Sequence, residues 1–199
     1  MAGGEKCLQT GTFAMTTGEC RKMIAQWLAE GSFAEKLPEV AALNGVMQPE
    51  EYHAEGDAYV HTMLAIEAVD DAADVRVFWA VLLHDIGKSV KTELVKGRWR
   101  SFGHAEAGAD SVPEIMKRLG FPQMASDVAW LVRHHMFHFS WHLRPEFGLT
   151  RNQRRFADHY LFPLLLQVCA ADAVASHGSS DKGELIGRTA EMLDDESKV

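Results

Sequence analysis

The chain has 199 residues, of which 47% are hydrophobic and 24% charged, and its formal net charge at pH 7 is -8. That length suits one globular domain with a substantial core. The excess of acidic residues argues against broad binding to nucleic acid or to an anionic membrane, so we expect no extended nucleic-acid interface and no membrane partner.

The first half of the chain predicts four helices after a loose N-terminal arm. The arm covers residues 1–16, which are rich in Gly and Thr and have no hydrophobic period. Thr17 is suited to cap the first helix, and Gly31 to end it. Gly87 follows an apolar run and is typical of a C-terminal helix stop. The helices are expected over residues 19–30, 33–43 with an interruption at Pro38, 54–70, and from 75 to that stop.

The second half continues the helical pattern after a polar connector. Residues 88–103 carry Arg98 and Arg100 around Gly97, which predicts a small hairpin or lid. Pro113 is expected to break or kink the next helix, because Ser111 and Glu114 have the spacing of a capping box. No stretch alternates with period two, so we predict an all-α fold. Its further helices begin at His104, Gln123, Thr150, Pro163 and Asp181, in one domain over residues 17–195 followed by an acidic tail over 196–199.

The cysteines and the N-terminus indicate a compartment. Cys7, Cys20 and Cys169 form no C-x-x-C pair and are odd in number, as is typical of reduced thiols. The first residues lack the basic-then-apolar pattern of a secretory signal, and the apolar run from Leu161 is short and contains Asp172. We therefore expect a cytoplasmic protein, and the sequence does not indicate its oligomeric state.

Several histidines and aspartates stand in otherwise apolar helical segments. His84 and Asp85 close the run over residues 77–83, and Asp172 stands in a nearly all-apolar segment. Burying an imidazole or a carboxylate is costly unless a partner satisfies it, and a cation suits both. A lone histidine on an apolar face is usually an ordinary core residue. The combination favours a metal centre, with further candidates at His61, His104, His134 and His135.

In their order along the chain, these residues resemble the H…HD…D signature of the HD-domain metal-dependent phosphohydrolases. The resemblance is closest to the HD domain of bacterial tRNA nucleotidyltransferases (CCA-adding enzymes) and poly(A) polymerases. It extends over residues 50–178, the motif-bearing core. The matching blocks are residues 52–57 with 60–62, 82–88, 102–108, 131–132 with 135–136, and 171–172 with 175–178.

The chain also departs from that family. No Gly-Ser loop with paired aspartates precedes the blocks, and 50 residues could not hold a nucleotidyltransferase head. Polymerase activity is therefore not implied, and we expect a stand-alone HD protein. The Gly-Tyr-Pro block of the cyclic-di-GMP branch is absent, as is the Glu-Asp pair of the (p)ppGpp hydrolases.

The resemblance implies one or two bound metal ions. In dinuclear members of the family the aspartate of the HD pair bridges two ions. The resemblance implies that Asp85 would do so here and that His104 and His135 would be the other ligands of the second ion, with His134 as an alternative to His135. Imidazole and carboxylate ligands suit divalent Mn, Fe, Co, Ni or Zn. The ligands implied for the first ion are His61, His84, Asp85 and Asp172.

Other residues are candidates for catalysis and substrate binding. With Asp85, Lys88 is a catalytic candidate, because it is placed to contact a phosphate oxygen; a solvated lysine favoured by the helix dipole is the equal alternative. His53 and Glu55 match a family block and either orient the ligands by hydrogen bonds or cap the first ligand helix. Trp99, Trp130 and Trp141 are expected to pack rather than to stack on a base. The substrate-binding candidates are Lys88, Arg98 and Arg100.

The resulting prediction is a metal-dependent phosphohydrolase, either a phosphodiesterase or a phosphomonoesterase. Its substrate would be a small phosphorylated compound, a nucleotide or a nucleic-acid terminal phosphate. The alternative is a di-iron HD-type oxygenase that acts on a small organic substrate. A binding relic without turnover is the weakest alternative, because it has no reason to keep buried charged ligands.

Overall fold

The computed structural model describes residues 15–141, 148–179 and 182–196, with residues 194–196 in backbone only. The predicted arm, apart from its last two residues, and the tail over 197–199 lie outside this part, as does Cys7. The helices are α1 Thr17–Glu30, α2 Phe33–Lys36, α3 Pro38–Ala41, α4 Ala58–Glu67, α5 Val75–Leu83, α6 Lys88–Lys91, α7 His104–Arg118, α8 Ala125–His134, α9 Phe137–Ser140, α10 Arg151–Ala157, α11 Phe162–Ala175 and α12 Lys182–Glu196. Two short strands, β1 Glu93–Val95 and β2 Arg98–Arg100, and a 3-10 turn at Pro122–Met124 complete the described elements.

The predicted all-α architecture is confirmed, with the hairpin as a small addition. Every residue of α5 is buried, and α4, α8 and α11 pack around it. An apolar helix without a polar face is stable only in such a central position. Because α5 ends at the His84–Asp85 pair, this packing places both side chains in the interior of the bundle.

Local signals predicted several helix ends. Gly31 ends α1 in the left-handed conformation, with φ of 73°. Thr150 forms a capping box with Gln153 at the start of α10. The cap of α1 is Thr16 and not Thr17. Thr17 is instead the first residue of the helix. Its hydroxyl is buried and donates to the Ala73 carbonyl at 2.7 Å, so it is not available to cap the helix.

The predicted break at Pro113 is wrong. Helix α7 runs through Pro113 without interruption, and the Ser111 hydroxyl donates to the Ala107 carbonyl rather than capping a new helix. A proline costs one backbone hydrogen bond. The α7 face that packs on α8 buries Val112 and Ile115, and this burial outweighs that loss.

Gly87 does not end α5 as a left-handed cap, contrary to the sequence prediction. Its φ of -67° and ψ of -15° are ordinary right-handed values. A Cβ atom at this position would lie 2.0 Å from the His104 carbonyl oxygen and 2.7 Å from the Gly108 nitrogen. Glycine is therefore needed for the close approach of this segment to α7, and not for a turn.

The connector after α6 forms the predicted hairpin. β1 and β2 pair antiparallel, with Leu94 opposite Trp99. Lys96 and Gly97 have positive φ values of 50° and 77° in the two-residue turn, which suits the twist of a tight hairpin. Among the described helices, none has the length and apolar character needed to cross a membrane.

Candidate metal centre

Four histidine side chains converge around the C-terminal end of α5, and the Nδ1 atom of each lies against an acceptor. Three of them donate to the carbonyl three residues earlier, at 2.7 to 2.8 Å. His61 contacts Glu55 Oε1 at 2.6 Å. Carbonyls and ionised carboxylates only accept, so Nδ1 carries a proton in each ring and Nε2 is the nitrogen that could bind a metal. The three carbonyl pairs are His84 with Val81, His104 with Ser101, and His135 with Val132.

The first cluster joins residues from three helices. His61 Nε2 lies 2.9 Å from Asp172 Oδ1. His84 Nε2 lies 3.2 Å from Asp85 Oδ2 and 3.9 Å from Asp172 Oδ1. All four side chains are buried. The fold therefore brings together the four residues that the resemblance implied for the first ion.

The second cluster uses the other oxygen of Asp85. Asp85 Oδ1 lies 3.4 Å from His104 Nε2 and 4.0 Å from His135 Nε2, and the two Nε2 atoms are 3.2 Å apart. His134 instead packs its ring on Trp130, with ring centroids 4.6 Å apart. Of the two neighbouring histidines, it is His135 that reaches Asp85.

These residues fit a metal ion. Donor atoms about 2.1 Å from one ion lie roughly 3 to 4 Å from one another, which matches the separations of 2.9 to 4.0 Å given above. Donor atoms of His61, His84 and Asp85 all lie within 4.8 Å of one another, as do those of Asp85, His104 and His135. His84 Nε2 is buried and makes no hydrogen bond, which is costly for a polar atom. A cation in the first cluster would satisfy it, and mixed nitrogen and oxygen donors suit a transition metal.

The protonation states of the ligands also suit a metal. Burial alone would raise the pKa of Asp85, but the charges of His84 and Lys88 outweigh it and hold the pKa well below its usual value. Burial, with His104 as a neighbour, lowers the pKa of His135 well below its usual value. A metal requires an ionised carboxylate and a neutral imidazole, and the pKa shifts of Asp85 and His135 are in these directions. Burial opposes protonation of His61, but its contacts with Asp172 and Glu55 raise its pKa, so a metal ion would have to displace a proton there.

His53 and Glu55 lie just outside the first cluster. Glu55 Oε1 contacts Nδ1 of both His53 and His61, at 2.8 and 2.6 Å, and its Oε2 accepts from the His177 backbone at 3.0 Å. Burial opposes ionisation, but these hydrogen bonds lower the pKa of Glu55 to about 2. The residue that caps α4 is Asp57, so His53 and Glu55 do not have the capping role. Glu55 therefore holds the ring of His61 in position.

Lys88 is not the solvated lysine of the alternative interpretation. Its side chain is 12% exposed. Its Nζ donates to Asp85 Oδ2 at 2.7 Å and to Gln48 Oε1 at 2.6 Å. An ammonium group has three donors, so two hold the shared carboxylate and the Gln48 amide, and a third remains for another acceptor.

Lys182 is a site residue that the sequence analysis missed. Its buried Nζ donates to Asp172 Oδ1 at 2.8 Å and to the Ser176 hydroxyl at 3.1 Å. Burial opposes ionisation of Asp172, but Lys182 and His61 together hold the pKa of that carboxyl well below its usual value. A single lysine near the start of a polar helix carries no sequence signal for this contact.

A cavity of about 1220 Å³ reaches both clusters and is lined by Asp85, His104, His135 and Asp172 among others. The substrate-binding candidates Lys88 and Arg100 also line it. Arg98 is outside this lining; its side chain is 64% exposed and its guanidinium lies 3.7 Å from Glu51 Oε2. The fold thus brings two of the three candidates to the cavity.

The buried His53 makes stability dependent on pH. Burial and the charge of Lys88 lower its pKa from the ordinary 6.5 to about 4. In the unfolded chain His53 binds a proton below about pH 6.5, whereas in the folded chain it does so only near pH 4. The free energy of unfolding should therefore fall as the pH is lowered between these values. We expect a loss of at most about 3 kcal/mol. Urea unfolding in chelator at pH 7.5 and 4.5 measures it.

His53→Gln is the matched variant, because its amide keeps a donor toward Glu55 but does not titrate in this range. Its stability should depend less on pH than that of the wild type. The same pH dependence in both proteins would contradict the assignment.

The second cluster predicts a change in metal stoichiometry. Double substitution His104→Ala with His135→Ala removes two of its three ligands and leaves the first cluster untouched, so bound metal should fall by about half. Elemental analysis of the purified proteins measures this. His134→Ala is the control and should keep the wild-type content. Unchanged stoichiometry in the double variant would leave a mononuclear site.

Comparison with known proteins gives a family match over most of the chain. Residues 52–177 match the family model of the HD domain. This segment contains all six candidate ligands.

Three similar proteins are each named multifunctional CCA protein. The Halorhodospira halophila protein is 42% identical over 130 residues, which cover 63% of this chain and 30% of the relative. The Alkalilimnicola ehrlichii protein is 37% identical over 164 residues, with coverage of 76% and 38%. The Neisseria meningitidis protein is 34% identical over 157 residues, with coverage of 76% and 37%. The chain therefore spans about a third of the length of these relatives.

Proposed function

We propose that this chain, which belongs to the HD domain family, is a metal-dependent phosphohydrolase that cleaves a phosphodiester or a phosphomonoester. HD domains are generally metal-dependent hydrolases. The observation that carries the proposal is the position of Asp85, whose Oδ2 faces His84 while its Oδ1 faces His104. A carboxylate shared in this way supports two divalent ions, of Mn, Fe, Co, Ni or Zn.

Divalent ions in such a site lower the pKa of bound water and neutralise charge on phosphoryl oxygens. The protein residues prepare the site for this chemistry. Asp85 and Asp172 stay ionised because cations and histidines surround them. Glu55 holds the ring of His61, and the Val81 carbonyl holds the ring of His84. Neither ring would therefore need to turn when a metal ion binds.

Positive side chains around the cavity support an anionic substrate. Lys88, Arg100 and Arg133 all line it, although the formal net charge of the chain is -8. The Lys88 ammonium group donates two hydrogen bonds, to Asp85 and Gln48. Its third N–H group can donate to a phosphate oxygen. Acidic and basic side chains line the cavity in equal number, but two of the acidic ones, Asp85 and Asp172, face the candidate ligands, where bound cations would offset their charge. Basic groups within one cavity of an acidic protein favour a small phosphorylated compound over a long nucleic acid.

The substrate that we propose is a nucleotide or the terminal phosphate of a nucleic acid. The name shared by the relatives, multifunctional CCA protein, supports a nucleotide-related substrate. The cavity of about 1220 Å³ is larger than a bare phosphate requires. We place this activity in the cytoplasm, in keeping with the reduced thiols of Cys20 and Cys169.

The test combines metal removal with oxygen removal. Chelation should abolish hydrolysis of nucleotide phosphodiesters and phosphomonoesters, and a transition metal should restore it better than Mg²⁺, because imidazole ligands suit Mg²⁺ badly. The restored rate should be the same under anaerobic conditions. Turnover of an organic substrate that needs iron and stops without oxygen would replace this proposal with the di-iron oxygenase.

A further inference from the structure

We infer that Phe102 and Phe139 form a nucleobase-binding subsite beside the second cluster, so that the preferred substrate is a nucleoside phosphate. This inference rests on the proposed function and deepens it. Both phenyl rings line the cavity. Their side chains supply the aromatic contact, while the clusters and their cations receive the phosphate.

The two rings are exposed, as is Tyr52, a further aromatic side chain of the cavity lining that is 39% exposed. Phe102 is 73% exposed and Phe139 is 43% exposed. Phe137, Trp141 and Phe156 also line the cavity, but they pack on one another with ring centroids 5.0 to 5.8 Å apart. That packing accounts for those three rings as part of the core. Phe139 contacts the His138 ring, with centroids 4.3 Å apart, but much of its surface stays exposed, and Phe102 is more exposed still.

Both exposed rings lie close to ligands of the same cluster. Phe102 precedes His104 by two residues, so the two Cα atoms are at most about 7 Å apart. Phe139 follows His135 by four residues, across the two-residue turn that separates α8 from α9. Both phenyl rings line the same cavity as these two histidines, whose Nε2 atoms are 3.2 Å apart. A base held against either ring would therefore share that cavity with a phosphate at the ligands.

Charge favours the same occupant. Arg100 lines the cavity two residues before Phe102, and Lys88 lines it next to Asp85. Exposed rings and basic groups in one cavity match a molecule that is flat and aromatic at one end and anionic at the other. Stacking of a base on an aromatic side chain is tolerant of base identity, so we expect a modest preference among bases and a strong preference for the presence of one.

The test compares two ligands that differ only in the base, adenosine 5′-thiophosphate and ribose 5-thiophosphate, chosen because thiophosphates are hydrolysed slowly. Isothermal titration of the manganese-loaded protein should show the adenosine compound to bind on the order of tenfold or more tightly, the scale of one base-aromatic stack. Phe102→Leu and Phe139→Leu, which keep apolar volume but lose the ring, should each lower this ratio several-fold. Phe102→Tyr, which keeps the ring, should preserve it.

The outcomes separate the subsite from the activity. Equal affinities for the two ligands in the wild type, or a ratio that both leucine variants leave unchanged, overturn the subsite and leave the phosphohydrolase standing. Binding of neither ligand overturns the subsite, whereas the proposed function is overturned only if the manganese-loaded protein hydrolyses neither phosphodiesters nor phosphomonoesters. Circular dichroism and metal content of each variant establish that the comparison is made on folded, loaded protein.

Discussion

Asp85→Asn should remove both metal ions and lower the rate of phosphate-ester hydrolysis by about a thousandfold or more. The asparagine has the same shape but no charge, and the two oxygens of Asp85 serve different clusters. Metal stabilisation of a phosphoryl transition state is worth several kcal/mol, which corresponds to at least that factor. Elemental analysis gives the metal content, and initial rates with a nucleotide substrate give the activity.

Asp110→Asn is the control for this substitution. Asp110 is an exposed residue of α7 that pairs with Arg133, so its loss should leave both ions in place. Retention of full metal content by Asp85→Asn would contradict the shared carboxylate. In the Asp85→Asn variant Lys88 also loses its ionised partner. The free energy of unfolding of the metal-free variant should therefore be about 3 kcal/mol lower than that of the metal-free wild type, the scale of a broken buried pair.

Gly87→Ala should destabilise the fold by at least about 3 kcal/mol, although it adds a single methyl group. The new Cβ would meet backbone atoms 2.0 to 2.9 Å away in His104 and Gly108, and backbone moves less readily than the end of a side chain. Relief of the overlap requires α7 to shift, at a cost on the scale of core overpacking or above it. Urea unfolding measures the change in the free energy of unfolding.

The same shift should weaken the second cluster, because His104 begins α7 and carries one of its ligands. Gly187→Ala is the matched control. Gly187 lies in α12, and no atom of the described residues lies within 4 Å of the place that its new methyl group would occupy. Alanine there should stabilise the helix by up to about 1 kcal/mol. If Gly87→Ala were as stable as the wild type, the close approach of these backbones would not be a requirement of the fold.

Three of the candidate ligands stood out in the sequence because they break an otherwise apolar pattern, and the family resemblance supplied the rest. His84, Asp85 and Asp172 stand in segments whose other residues are almost all hydrophobic. A charged group persists in such a segment only when something compensates its burial, so composition alone points to a site. The helix ends at Gly31 and Thr150 were predictable for a related reason, since a cap depends on a few adjacent residues.

The roles of Gly87 and Pro113 depended on distant contacts. Gly87 has no local need for glycine, and only the approach of α7 excludes a side chain there. Pro113 has a local preference to end a helix, and only the packing of α7 on α8 overrides it. A sequence pattern reports local backbone preference, whereas these two positions are decided by atoms far along the chain.

The sequence by itself therefore determined the helical class of the fold, and with the family resemblance it named the candidate metal ligands, because burial of a polar group is visible in the pattern of its neighbours. Only the tertiary structure showed that His135 rather than His134 lies near Asp85. The same holds for the hydrogen bonds of Lys182 to Asp172 and of Lys88 to Gln48. Each of these depends on the direction in which a side chain leaves its backbone. That direction is set by the packing of helices that are far apart in the sequence.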